Sequence, residues 1–180
     1  MFESVTQPQR ANWKLRILLA TIATILAYTL VSLLRMIAMP LHSYAGPLPA
    51  LTSEEVEIQK RLAAHVEYLS ATIGERNLGR SGTISATAQY LRIQLEQLGY
   101  KVAEQKYSAS HQSVSNLEVI LPGSDNAAGN IIVGAHYDTA ELAPGANDNG
   151  TGVAAILELA RLLRISKLRK TVRLVLFANE

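Results

Sequence analysis

Between Ile17 and Leu34 the chain runs eighteen residues without a charge. Coiled as an α-helix at 1.5 Å per residue, that run spans about 27 Å, close to the hydrocarbon thickness of a bilayer. Such a segment sits in lipid, is removed after export, or is enclosed in a core. Arg10, Lys14 and Arg16 precede it and only Arg35 directly follows. That asymmetry predicts an N-terminus in the cytoplasm and everything after Met39 outside. Trp13 stands where an interfacial aromatic belongs. A cleaved signal peptide is one rival, since Ser43, Tyr44 and Ala45 before Gly46 form a small-x-small site. The apolar run is longer than an ordinary signal-peptide core, however, and the site lies far past its end. A soluble core helix is the other rival, but no polar face recurs at helical spacing. The expectation is a single-pass anchor, with a secreted or periplasmic domain after cleavage as the alternative.

The segment also organises the rest of the chain: a cytoplasmic stretch 1–16, a transmembrane signal anchor 17–39, a stalk 40–51 and a folded domain 52–180. Pro40, Pro47, Pro49 and Gly46 make the stalk a poor helix, and His42 within it reads as a solvated side chain. Charge follows the anchor too. Four of the 17 basic residues and one of the 15 acids lie beside it, leaving 13 against 14 in the remainder. A near-neutral domain has no electrostatic footprint for nucleic acid. With no cysteine in the chain, disulfides and thiol catalysis are excluded. Any transition-metal site must then draw on His, Asp and Glu.

Thr52 to Glu55 is a capping-box pattern, opening a helix expected to reach about Thr72. His65 on it has no companion at metal spacing and reads as a core or surface histidine. A polar, glycine-bearing loop over 73–83 separates it from a second helix over 84–98. Ala88, Leu91, Leu95 and Leu98 form the apolar stripe of that helix, and Gly99 is its terminator. Strands are expected over 100–107, weakly alternating as an edge strand would be, and over 113–121. Ile131, Ile132 and Val133 read as a strand covered on both faces. A helix over 149–165 carries Val153, Ile156, Leu157, Ala160 and Leu163 on one side. A strand over 171–178 follows, alternating Val172, Leu174 and Leu176. Strand, helix, strand in this order predicts an α/β domain with a largely parallel central sheet.

Open sheets of this kind bind ligands beyond the carboxyl ends of their strands. His136 and Asp138 lie just past one strand, Glu180 just past another, and Asp148 opens the intervening helix. Neutral imidazole and carboxylates suit Zn²⁺, and a carboxylate can bridge two ions. Asp138, two residues beyond His136, is placed to accept the imidazole N–H and hold its tautomer. Gly145, Gly150 and Gly152 allow tight turns around the group. Each residue also has a bland explanation: Asp148, Asn149 and Gly150 as helix cap and turn, His136 as a polar strand end. Their joint order is harder to explain that way.

The Gly-Ala-His-Tyr-Asp run at 134–138 and the Pro-Gly-Ala-Asn-Asp-Asn-Gly-Thr-Gly run at 144–152 resemble the M28 family of zinc peptidases. So do the Leu-Glu-Leu-Ala-Arg-Leu-Leu helix that follows and the Phe-Ala-Asn-Glu run at 177–180. The likeness extends loosely upstream through 73–77 and 98–100. It implies a phosphorylase/hydrolase-like α/β fold, incomplete at the C-terminus, that acts on peptides or proteins with two zinc ions. On that resemblance His136 is a ligand of one zinc, Asp148 the carboxylate bridging both, and Asp138 the acid orienting His136. Glu180 is then the general base that takes a proton from the attacking water. The family often has a cis peptide after its bridging aspartate, here Asp148–Asn149. Its second glutamate and its later aspartate and histidine ligands have no counterpart within these 180 residues. The expectation is therefore a polypeptide that by itself binds zinc weakly and hydrolyses little. Two alternatives stay open: a non-catalytic, transferrin-receptor-like binding module and a glutaminyl-cyclase-like acyltransferase.

Overall fold

The computed structural model describes residues 12–38 and 44–179. They divide into two compact units, with the boundary between Pro49 and Ala50.

The first unit holds helix α1 (Trp13–Ile37). It begins four residues before the uncharged run and takes Lys14 and Arg16 into its first turns. None of its most apolar window is buried, and its mean hydropathy of 2.3 makes it long and apolar enough to cross a membrane. The exposure argues against the core-helix alternative. The Thr24 and Thr29 hydroxyls donate to the Ala20 and Ile25 carbonyls, each at 2.9 Å. In lipid, each hydroxyl would thereby keep a hydrogen-bond partner.

The second unit opens with α2 (Ser53–Glu67) behind the expected capping box. The Thr52 N–H donates to Glu55 Oε2 at 2.7 Å, and the Glu55 N–H donates to Thr52 Oγ1 at 3.2 Å. The helix does not stay α-helical to residue 72. A π-turn over Tyr68–Ile73 closes it at Gly74, whose φ of 78° is left-handed. Helix α3 (Thr83–Gln97) ends as expected. Gly99 has φ 83°, and the Tyr100 N–H reaches back to the Leu95 carbonyl at 3.1 Å, satisfying a carbonyl in the last turn.

Strands β1 (Ala103–Ala109) and β2 (Gln112–Leu121) form a hairpin. Ser110 and His111 turn the chain with φ 46° and 65°, the paired left-handed geometry that matches strand twist. Strand β3 (Asn130–His136) leads through the site loops to α4 (Thr151–Leu163), which returns to β4 (Thr171–Phe177). The described sheet has the order β1-β2-β4-β3. It is mixed: β1 and β4 both run antiparallel to β2, and parallel pairing is confined to β3 and β4. The tight hairpin accounts for the first of the two antiparallel pairings, since a two-residue turn can only reverse a strand.

Helix α3 packs over β2, and α4 over β3 and β4. Leu91 and Leu95 from α3 and Val153, Leu157 and Ala160 from α4 meet Leu117, Val119, Leu174 and Leu176 of the sheet, all essentially buried. Each such leucine contributes roughly 1.5–3 kcal/mol. The expectation that β3 is covered on both faces does not hold among the described residues: Ile131 and Ile132 are 44% and 62% exposed. β3 stands at the edge of the described sheet, and α4 covers only one of its faces. Glu158 of α4, buried, receives hydrogen bonds from Arg61 of α2 and from Arg161. Burial raises its pKa, but the hydrogen bonds from Arg161 and Arg61 outweigh it and hold the carboxylate ionised. This buried ion cluster ties α2 to α4.

Candidate functional site

The register of β3 against β4 sets His136 opposite Phe177. The Tyr137 N–H continues the ladder one step further, donating to the Phe177 carbonyl at 2.8 Å. Parallel pairing brings both strand ends out at one edge of the sheet, as the sequence argument requires. At that edge the His136 imidazole lies between two carboxylates. Its Nε2 is 3.0 Å from Asp148 Oδ1, and its Nδ1 is 3.4 Å from Asp138 Oδ1. The two acids differ sharply, since the Asp148 side chain is 80% exposed and that of Asp138 only 12%. The structure therefore brings His136, Asp138 and Asp148 together. Glu180 lies outside the described residues, as does His42.

These donors fit a metal in kind and in spacing. Two atoms each about 2.1 Å from one ion stand roughly 3.4 Å apart at the tetrahedral angle, close to the Nε2–Oδ1 separation. A carboxylate on the Nδ1 side is the usual device for turning Nε2 outward as a ligand. Among the described residues no group of three His, Cys, Asp or Glu side chains is placed to hold an ion. The described part of the site is an imidazole flanked by two carboxylates.

Asp148 is delivered by an irregular turn over Ala146–Gly150, in which Asp148 and Asn149 have non-helical backbone angles. Regular α4 starts at Thr151, two residues later than the periodicity suggested. The Asp148–Asn149 peptide is cis. Gly145 precedes this turn with φ 60°, and a Cβ there would meet Thr139 Cγ2 at 2.2 Å. No other residue fits that position.

Sequence reasoning missed what holds these loops together. The 73–83 stretch, read as a polar loop, contains Arg76, which is fully buried. Its Nε donates to the Tyr137 carbonyl at 2.8 Å. Its Nη1 reaches the carbonyls of Leu69 and Pro144 at 2.8 Å and of Gly74 at 2.9 Å. Its Nη2 donates to Gly145 at 2.9 Å. The Arg76 backbone exchanges hydrogen bonds with Thr139, receiving at its carbonyl from the Thr139 N–H and donating its own N–H to Thr139 Oγ1. Burial lowers the Arg76 pKa and the nearby Asp138 charge raises it; a guanidinium remains cationic throughout. Arg76 falls inside the 73–77 run that shares the family likeness, but only its burial shows what it holds.

Glu75, beside it, accepts from Asn77, from the Leu142 N–H at 2.9 Å and from Arg80. These hydrogen bonds hold its pKa down at about 2. Tyr137, also buried, donates to the Ser115 carbonyl at 2.7 Å. Burial, then Tyr107 and Asp138, push its pKa well up and keep the phenol neutral. Asn116 Oδ1 accepts from the Ala178 N–H and steadies the exit of β4. His65 takes no part in the site: its Nδ1 lies 2.6 Å from the Tyr90 hydroxyl.

An imidazole between a buried and an exposed carboxylate, at the edge where two parallel strands end, is an arrangement suited to metal-dependent hydrolysis. Residues 116–180 match the model of peptidase family M28. It is 33% identical over 116 residues to leupeptin-inactivating enzyme 1 of Streptomyces exfoliatus, a match covering 62% of this chain and 26% of that protein. The fold is similar to that of BSAP, a zinc aminopeptidase from Bacillus subtilis. That likeness has a TM-score of 0.60 and 14% identity, over 66% of this chain and 61% of the other. It is also similar to a glutaminyl cyclase of Porphyromonas gingivalis, with a TM-score of 0.54 and 27% identity, over 66% of this chain and 44% of the other. The chain spans 39% and 26% of the lengths of the first curated relatives it matches.

Proposed function

We propose that this chain belongs to a zinc-dependent peptidase of the aminopeptidase kind, its domain held outside the cytoplasm by α1 as a membrane anchor. His136 Nε2 and Asp148 are the proposed metal ligands, with Asp148 bridging two ions. Asp138 is the proposed orienting acid. Glu180 is proposed as general base on its sequence motif alone. The observation that carries the reading is the imidazole of His136 lying 3.0 Å from Asp148 and 3.4 Å from Asp138.

When bound, zinc would polarise the scissile carbonyl and acidify the attacking water. Asp138, buried behind the ring, keeps the Nδ1 side occupied and directs the Nε2 lone pair toward the open edge. Asp148, exposed, adds the negative charge that a dication requires beside a neutral imidazole. Glu180 would move one proton from the water to the leaving amine. The proposed substrate is the N-terminal residue of a peptide or protein.

The similarity to a glutaminyl cyclase supports a second reading, in which the same residues promote intramolecular acyl transfer. Titration of the detergent-solubilised protein with Co²⁺, followed by visible absorption, tests the metal reading common to both. Weak but saturable absorption that H136A and D148N abolish is expected, and a wild-type protein that takes up no Co²⁺ even at millimolar metal overturns it. Release of p-nitroaniline from aminoacyl-p-nitroanilides, set against cyclisation of an N-terminal glutamine, separates the two chemistries.

A further inference from the structure

Arg76 is the most heavily hydrogen-bonded buried cation in the described fold, and among the described residues no carboxylate makes an ion pair with it. Its partners are instead five main-chain carbonyls. They belong to three separate segments. Leu69 lies in the π-turn that closes α2, and Gly74 ends that turn. Tyr137 sits between His136 and Asp138. Pro144 and Gly145 lead into the turn that carries Asp148. A guanidinium has five N–H donors in a rigid plane, so the directions in which it can hold carbonyls are set by its own bonding. One planar group thus ties the strand end bearing the imidazole to the loop bearing the exposed carboxylate. The Asp138 charge acts on it through space.

We propose that Arg76 is a positioning residue for the metal ligands: it sets the spacing between His136 and Asp148 and thereby the affinity of the site. This rests on the metal reading above. A lysine at 76 would keep the charge but reach only one of the three segments well, as a point donor on a flexible stem. Thr139 takes part in the same arrangement, because its hydroxyl accepts the Arg76 N–H at 3.0 Å. Thr139→Val removes that one bond at nearly constant shape and is the milder variant.

The test is Co²⁺ titration of the detergent-solubilised chain as wild type, H136A, R76K and T139V, read by visible absorption. Circular dichroism melts of the metal-free proteins run alongside. R76K is expected to bind Co²⁺ about 10–100-fold more weakly than wild type, as outer-sphere variants of metal sites do, with altered band positions. T139V is expected to weaken binding in the same direction by less. A merely structural arginine would lower the melting temperature and leave the affinity and bands of the folded protein unchanged. That outcome in R76K overturns the proposal, and if R76K does not fold, wild-type affinity in T139V does so. Wild-type protein with no His136-dependent Co²⁺ absorption overturns the metal reading and this proposal with it.

Discussion

The Nε2 of His136 stands 3.0 Å from Oδ1 of Asp148, although twelve positions of chain separate them. The contact joins the last residue of β3 to an irregular turn ahead of α4, so it depends on the conformation of everything between. On the other side of the ring Asp138, 8% exposed, faces Nδ1.

Asp138→Asn keeps the size of that group and removes its charge. If Asp138 orients the imidazole, metal affinity falls by about 10–100-fold while the circular dichroism spectrum is unchanged. Co²⁺ titration measures the first and far-ultraviolet spectra the second. Undiminished affinity would exclude the orienting role.

Gly145→Ala is expected to destabilise the domain by more than Gly82→Ala. Both glycines have left-handed φ, 60° and 80°. Strain of the backbone alone costs roughly 1–2 kcal/mol. At 145 the new Cβ also meets Thr139 Cγ2 at 2.2 Å and Arg76 Nη2 at 2.7 Å, whereas at 82 nothing lies within 4 Å. Urea denaturation of the two variants gives the comparison, and equal losses would contradict the packing argument.

Acid should loosen the loop around Leu142. The hydrogen bonds from Asn77, from the Leu142 backbone and from Arg80 depress the Glu75 pKa from 4.5 to about 2. A depressed carboxylate contributes stability that is present above its unfolded pKa and lost as pH falls through the folded one. The loss attributable to Glu75 therefore falls between about 4.5 and about 2. Proteolysis between residues 139 and 145 should rise across that window in wild type with an acid-tolerant protease, and stay flat in Glu75→Gln.

Leu174→Ala removes a side chain that is 1% exposed at the centre of the sheet. Such truncations cost about 2–5 kcal/mol. Denaturant midpoints should show the loss with no change in slope, and a loss under about 1 kcal/mol would mean that the core collapses into the space.

The orientation of α1 is open to direct test. A phosphatase fused after residue 52 should be active only if that end lies outside the cytoplasm, as the basic residues ahead of the helix imply. Activity confined to an N-terminal fusion would reverse the orientation.

What could be read along the chain was whatever is encoded by neighbours. The uncharged run, the capping box at Thr52, the Gly99 terminator and the apolar stripe of α4 are local patterns with local causes. His136, Asp138 and Asp148 stood out for the same reason, because strand ends and helix starts can be located from periodicity and turn residues. The hairpin at Ser110–His111 was less visible, since neither residue is the usual choice for a left-handed turn. The mixed pairing of the sheet and the exposed face of β3 depend on which strands become neighbours, and periodicity does not contain that information. Arg76 is the extreme case: its partners are backbone carbonyls, which every residue carries alike. No choice of side chains along the sequence marks those five oxygens, and only the folded chain, by bringing three distant segments around one buried cation, decided what that arginine does.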